Sequence, residues 1–400
     1  MWENRCKVAV SGVGFSKVYR SAEIPLANLA LDAVKAAVED SGLKISDIDG
    51  LSSYGYWPGT GHANQVDGVA IVSADYMMRM LKLPRINWYD QVMTAAEGGA
   101  VIQAANVLLA GVCKYVVVWQ AVHVPSGSYK NLPGAYASGE AQFTGPYGFG
   151  GAGEPRHAIA YMRYLEQNNQ KKEKTATLVV TERKHGNKNP NAYFYKTPLS
   201  VEEYLNARMI ASPLCLYDYD IPVQQACALV LTTAERARDL KPKPAYLAGY
   251  GQRMVFEEPG RLLYSVPGMA DYMDFARSSV SLTWERSGFG PKDVDVAQIG
   301  DNLSSTCIYG IEGYGFCGRG EALDFIQDGR IEQDGELPLN TFGGAASVGR
   351  LHGTAHIIEG ALQAQGRAGE RQVKDVNVSF ATGGGAIAAA TTFVFVGDPY

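Results

Sequence analysis

One short pattern occurs twice in this chain, and no other feature restricts its fold as strongly. Ser41-Gly42-Leu43 followed by Asp47-Ile48-Asp49 returns, without a gap, as Ser287-Gly288-Phe289 followed by Asp293-Val294-Asp295. The surroundings repeat as well. "KVAVSGVGFS" reads as a buried strand running into a glycine turn, "LANLALDAVKAAVEDSGL" as a helix with a Ser-Gly stop, and "ISDIDGLSSYG" as an acidic turn and a strand. In the later copy "PAYLAGYGQ" is strand and glycine turn, "MADYMDFARSSVSLTWERSGF" helix, and "GPKDVDVAQIGDN" turn and strand. Further along, "AAEGGAVIQAANVLLAG" before "KYVVVWQA" matches "FGGAASVGRLHGTAHIIEGALQAQG" before "DVNVSFATGGG". Each is a glycine pair, a closely packed helix and a buried strand. Repetition over such a length predicts two copies of one α/β unit sharing a core.

The middle of the chain resembles neither copy. The expected division is an N-terminal half at 1–123, a loop or cap insertion at 124–215, a return to the N-terminal half at 216–242, and a C-terminal half at 243–400. The insertion is rich in Gly, Tyr, Asn and Lys, with one helix expected at "HAIAYMRYLEQNN". Long polar-aromatic insertions on a rigid scaffold cover a binding site, or form a surface or dimer contact. "ACALVLTTAERARDL" brings the chain back to the core as strand and helix.

Composition narrows the function. With 46% hydrophobic and 19% charged residues, the chain can bury a large core. A formal net charge of −5 gives no basis for a nucleic-acid partner or an anionic membrane. No apolar run approaches the roughly 18 to 20 residues that span a bilayer. The six cysteines show no CxxC spacing, and "MWENRCKVAV" carries no secretory signal, so reduced thiols in a cytoplasmic protein are expected. No metal site is expected.

Several stretches together resemble the thiolase superfamily, in its lipid-transfer-protein or sterol-carrier-like branch. They are "DIDGL", "IVSADYMMRMLKLPRINWYDQV", "NARMIASPLCLYDYDIPVQQACALVLTTAERARDL", "IEGYGFCGRGEALDF" and "LPLNTFGGAASVGRLHG". The resemblance implies an α/β thiolase fold: two repeated βαβαβαββ halves in a five-layer α-β-α-β-α sandwich with a loop insertion.

Four features of thiolase active sites can be sought here. A nucleophilic cysteine stands at the N-terminus of the helix with the first glycine pair, where the helix dipole lowers its pKa. "TAAEGGAV" puts Thr94 at that position, and no cysteine lies between Cys6 and Cys113. The C-x-G-G-G loop is "ATGGG", with Ala381 in place of the acid/base cysteine and the glycines Gly383 to Gly385 retained. The G-H-P histidine is replaced: Gly349 precedes Arg350, and His352 stands two residues later. The water-orienting loop is "GDNLSS", which keeps Asp301 but has Gly300 where the branch carries a tyrosine. Acyl transfer through a cysteine thioester is therefore not expected.

The resemblance points instead to the cysteine-less CoA-dependent aldolases that cleave steroid side chains. Retro-aldol cleavage of a β-hydroxyacyl-CoA needs a base for the β-hydroxyl proton and donors for the thioester enolate, but no nucleophile. The catalytic candidates are His352 as base or proton relay, Asp301 as its orienting or competing carboxylate, and Arg350 and Asn302 as donors. Thr94, His123, Tyr217 and backbone amides around Gly344 and Gly384 would face the substrate. Plainer roles remain open: His352 or Asp301 can cap a turn, Thr94 a helix, and His123 can pack in the core. His62 in "PGTGHANQVDG" stands near the site or a dimer contact in relatives, and Gln224-Gln225 replace their Asp-Gly.

No cofactor is expected beyond CoA as part of the substrate. The partners implied are the acyl-CoA, an OB-fold/zinc-ribbon acyl-CoA-binding protein, and a second copy, in an α2β2 complex. The alternatives are a β-ketoacyl-CoA thiolase or acyltransferase with an atypical site, and an inactive acyl-CoA or lipid carrier or scaffold.

Overall fold

The computed structural model describes residues 2–21, 23–54, 64, 66–92, 98–124, 154–252, 272–384 and 391–399, without the side chains of 154–156 and 272–275. The first half contains β1 (Val8–Phe15), α1 (Leu26–Ser41), β2 (Gly50–Tyr54), α2 (Ala74–Met80), β3 (Trp88–Val92), α3 (Gly99–Leu109) and β4 (Tyr115–His123). Helices α4 (Glu154–Gln167), α5 (Thr175–Gly186) and α6 (Val201–Leu205) follow, with a two-stranded ribbon of β5 (Met209–Ala211) and β6 (Leu214–Cys215). β7 (Gln224–Thr233) and α7 (Ala234–Ala237) close that half. The second half has β8 (Ala245–Gln252), α8 (Tyr272–Ser287), β9 (Val296–Gln298), α9 (Ser304–Gly313), α10 (Ala322–Phe325), α11 (Thr354–Gln365), β10 (Val378–Gly383) and β11 (Thr391–Val396).

Among the described residues the main strands form one nine-stranded sheet in the order β3-β2-β4-β7-β1-β8-β11-β10-β9. Each half contributes the same spatial order, β2-β4-β7-β1 answered by β9-β10-β11-β8. The halves join along an antiparallel seam where Ala9 faces Tyr246 and Val10 faces Ala245. Alternation along each strand separates the cores. On β4, Val117, Trp119 and Ala121 face α1, whereas Val116, Val118 and Val122 join α3 and α11 in a central cluster. The outer face of the second half packs Phe380 and Val394 under α8 and α9. The two halves of this sheet thus each carry helices on the outer face and share the central helices between them, which gives the expected five-layer sandwich.

Two local expectations need correction. The glycines read as turns after the first strand of each copy lie within the strands. A Cβ on Gly12 or Gly14 would stand 2.3 Å from the carbonyl oxygens of Ala37 and Ala33 on α1, and one on Gly251 would stand 2.1 Å from that of Ser279 on α8. The glycines let each first helix lie directly on its first strand, a close approach that local sequence does not distinguish from a turn.

The insertion also holds more than one helix. α5, "TATLVVTERKHG", is largely buried, including Thr181, Glu182, Arg183 and His185. Its β-branched run and lack of a polar face hide it from periodicity. It matters because it braces the loop that carries the candidate histidine.

Candidate active site

The C-terminal ends of the parallel strands and the N-termini of the central helices meet where the halves abut, the position at which open α/β sheets bind ligands. Glycines allow the meeting. A Cβ on Gly383, at the end of β10, would lie 2.5 Å from the Gly98 amide that precedes α3. One on Gly353, before α11, would lie 2.4 Å from the amide of Gly384. Gly384 and Gly353 adopt φ of 97° and 77°, a region that side chains disfavour.

His352 sits against this junction, 5% exposed, with φ of 46°. A histidine held there is strained, and such strain collects at functional positions. Its ring lies 6.1 Å from that of Tyr54, at the end of β2.

Asp301 does not orient His352. Oδ1 accepts hydrogen bonds from the Ala345 amide (2.9 Å) and pairs with Nε2 of His356 (2.8 Å), while Oδ2 accepts from the Ala346 amide (3.2 Å). A Cβ on Gly344 would reach within 2.2 Å of Oδ2, so the glycine turn is moulded onto this carboxyl group. The expected Asp301–His352 pairing is thus corrected to Asp301–His356. His352 precedes α11 in a left-handed conformation, whereas His356 lies in its first turn, against Phe342 at 4.7 Å.

Arg350 and Asn302 converge on Asp220, a residue sequence reasoning missed. Asn302 Nδ2 donates to Asp220 Oδ2 at 3.3 Å, and Arg350 Nε lies 3.5 Å from the same oxygen. The only signal was its place in "CLYDYD" beside the patterned Tyr217-Asp218 pair. Asp218 is a buried hub that accepts hydrogen bonds from Lys172, Tyr204, Ser304 and the Cys215 amide.

The other residues are more dispersed. His123 ends β4 opposite Gln224, buried at the edge of the same region. Gln224 accepts from Asn64 and donates to the Ile24 carbonyl, and Gln225 donates to that of Asn191, so both serve as ties. Tyr217 packs beside Arg183 of α5, at 5.8 Å, and takes no part in the Asp220 or Asp301 clusters. Thr94, His62 and Gly385 lie outside the described residues.

The segment from α5 to Phe194 grips the glycine loop. His185 Nδ1 lies 3.1 Å from the Leu339 carbonyl, Asn189 donates to that of Phe342, and the amides of Tyr193 and Phe194 donate to Val348 and Ser347. Burial lowers the His185 pKa to about 4, so its ring stays neutral at ordinary pH. Glu182 accepts from Asn340 Nδ2 at 2.7 Å, and burial, then the Asp301 charge, push its pKa well above the usual range.

That raised pKa has a consequence for stability. The folded chain holds a proton on Glu182 that the unfolded chain releases above about pH 4.3, so the contribution is complete below that pH and is lost as pH rises. Glu182→Gln keeps an acceptor for Asn340 and cannot ionise. It is expected to gain stability over the wild type as pH rises from about 5 to 8. Urea midpoints across that range check it, and parallel profiles for the two proteins would refute it.

All six cysteines are free. Burial raises the pKa of every one, to about 11 for Cys113 and Cys215 and higher for the others except Cys6, which has a milder upward shift. None is a thiolate at neutral pH. Among the described residues no group of three or more His, Cys, Asp or Glu could hold a metal ion, and no helix is long and apolar enough to cross a membrane. A separate hollow of about 340 Å³ between α8 and α9, lined in part by Trp284, Tyr314 and Cys317, shares no residue with these clusters.

Fold and loops together define a thiolase-type α/β protein with Ala381 where the thiolase loop carries its acid/base cysteine. Residues 264–397 match the model for thiolase C-terminal domain-like proteins. The chain is 30% identical to a 17-hydroxy-3-oxo-4-pregnene-20-carboxyl-CoA lyase of Mycobacterium tuberculosis, over 90% of this chain and 92% of that one. It is 29% identical to a steroid side-chain-cleaving aldolase of Thermomonospora curvata, over 94% and 95% of the two chains. The solved Ltp2-ChsH2(DUF35) aldolase superposes with a TM-score of 0.84 at 27% identity, covering 98% of each chain. The chain belongs to the thiolase-like family that includes these steroid side-chain-cleaving aldolases.

Proposed function

We propose that the protein cleaves a carbon–carbon bond of a bulky β-hydroxyacyl-CoA by a retro-aldol reaction without a covalent intermediate. The observation that carries this reading is the state of the cysteines: five of the six are buried and Cys317 is half-buried, all six have a raised pKa, and Ala381 stands in the place of the acid/base thiol. Polar groups that retro-aldol chemistry can use still surround the glycine junction. His352 takes the β-hydroxyl proton. As the Cα–Cβ bond breaks, its electron pair passes to the thioester, and Arg350, Asn302 and backbone amides around Gly344 and Gly384 stabilise the enolate oxygen. Protonation at Cα leaves a shortened acyl-CoA, and the carbonyl compound departs. Free CoA is not consumed, and CoA enters only as part of the substrate.

The similarity to the lyase and the two aldolases supports a steroid side chain as the acyl group. The solved aldolase joins Ltp2 to ChsH2(DUF35), which supports a partner subunit; we take that partner to be an acyl-CoA-binding protein of the OB-fold/zinc-ribbon kind, in an α2β2 assembly in the cytoplasm.

The test is product analysis by mass spectrometry, with β-hydroxyacyl-CoA and β-ketoacyl-CoA panels and such a partner co-expressed. The expected result is a ketone or aldehyde plus a shortened acyl-CoA, with no free CoA required. Cleavage of β-ketoacyl-CoA only on addition of CoA would replace the reading with a thiolase. Acyl-CoA binding without turnover would leave a carrier.

A further inference from the structure

Gln120, near the end of β4, is fully buried, and neither its amide nitrogen nor its carbonyl oxygen meets a hydrogen-bonding partner among the described residues. Gln225, on the neighbouring β7, is equally buried. Its Nε2 donates to the Asn191 carbonyl, while its Oε1 receives no donor. Buried amides are ordinarily satisfied, so three open polar atoms on adjacent strands point to a ligand.

Three observations aim Gln120 at the junction that holds His352. Alternation along β4 sets it between Val118 and Val122, on the face turned to the central helices. Gln225 lies opposite Val122 and so shares that face. Next, Ser53 pairs with Trp119, which brings Gln120 level with Tyr54, and the Tyr54 ring lies 6.1 Å from that of His352. The duplication gives the third bearing. Ser52 pairs with Val118 as Gln298 pairs with Ala381, so Gln120 holds the place in its half that Gly383 holds in the other. A Cβ on Gly383 would lie 2.5 Å from the Gly98 amide, just before α3. The matching neighbour for Gln120 is Gly353, just before α11 and next to His352.

We propose that Gln120, with the Gln225 oxygen beside it, is a subsite for the β-hydroxyl group of the acyl chain. A hydroxyl accepts from an amide N–H and donates to a carbonyl oxygen, so it answers both kinds of open atom. Two neutral amides favour such a neutral group over an ion. As the carbon–carbon bond breaks, the hydroxyl proton passes to His352, and Gln120 Nε2 keeps its hydrogen bond to the oxygen that becomes a carbonyl. This role rests on the retro-aldol reading above.

The test replaces the amide by apolar groups of similar size, Gln120→Met and Gln120→Leu, in the full-length protein. An unpartnered buried amide contributes nothing to the free fold, so both variants should melt within about 5 °C of the wild type or above it. Their kcat/KM on the cleaved β-hydroxyacyl-CoA should fall by about 10- to 100-fold. Wild-type kcat/KM in either variant would overturn the subsite. So would a larger drop in melting temperature in both, which would make the amide a structural tie.

If the wild type cleaves no substrate in the panel, the retro-aldol reading fails by itself. Calorimetry with 3-hydroxybutyryl-CoA and butyryl-CoA then decides the subsite. A wild-type preference of about 5-fold or more for the hydroxylated ligand, lost in Gln120→Met, would uphold it. No preference in the wild type, a preference kept by the variant, or no binding of either ligand would overturn it.

Discussion

His352→Asn is expected to lower turnover of the β-hydroxyacyl-CoA by about 10²- to 10⁴-fold, the range that general-base catalysis supplies. The variant is chosen for its backbone. His352 has a φ of 46°, and asparagine tolerates the left-handed region better than alanine, so loss of the imidazole can be separated from loop strain. The ring lies beside Tyr54 and next to Gly353, where the second half's helix meets β10. Thermal unfolding should stay close to that of the wild type, while His352→Ala should show the same catalytic loss plus some loss of stability. Unchanged turnover in the asparagine variant would remove His352 from the mechanism and leave the base among other groups at the junction.

Asp301→Ala is expected to act mainly on the fold, destabilising it by about 3–5 kcal/mol, because each buried donor left unsatisfied costs about 1–3 kcal/mol and several lose their acceptor together. Truncation would strand the amides of Ala345 and Ala346 and Nε2 of His356, all of which depend on this carboxyl group. A buried donor left without an acceptor bears its desolvation cost in full. Asp301→Asn, which keeps one acceptor oxygen, should lose less. Urea unfolding gives both values. If Asp301→Ala unfolds like the wild type but has lost turnover, the carboxyl group is chemical after all and the anchoring role is wrong.

Much of the architecture was legible because it is written in local periodicity. The repeated Ser-Gly stops after α1 and α8 appear as Gly42 and Gly288, with φ of 80° and 75°. α5 was not legible, since "TATLVVT" is held as a helix by the neighbours that bury most of it rather than by a periodic pattern of its own. The loss of thiol chemistry could be read from single positions, Ala381 above all. Asp220 could not, because its importance lies in two partners that sequence does not place beside it.

By itself the sequence determined the duplicated α/β unit, the glycines that let its halves approach, and the absence of cysteines where a thiolase needs them. These follow from residue types and short spacings, which act over a turn or a strand. Only the tertiary structure decided which polar groups meet: Asp301 with His356, 55 residues away, and Asp220 with Asn302, 82 residues away. A carboxylate takes whichever donors the packed loops bring within about 3 Å. The left-handed turn at His352 and the wedge of α5 set that choice here, because they fix where the glycine loop runs.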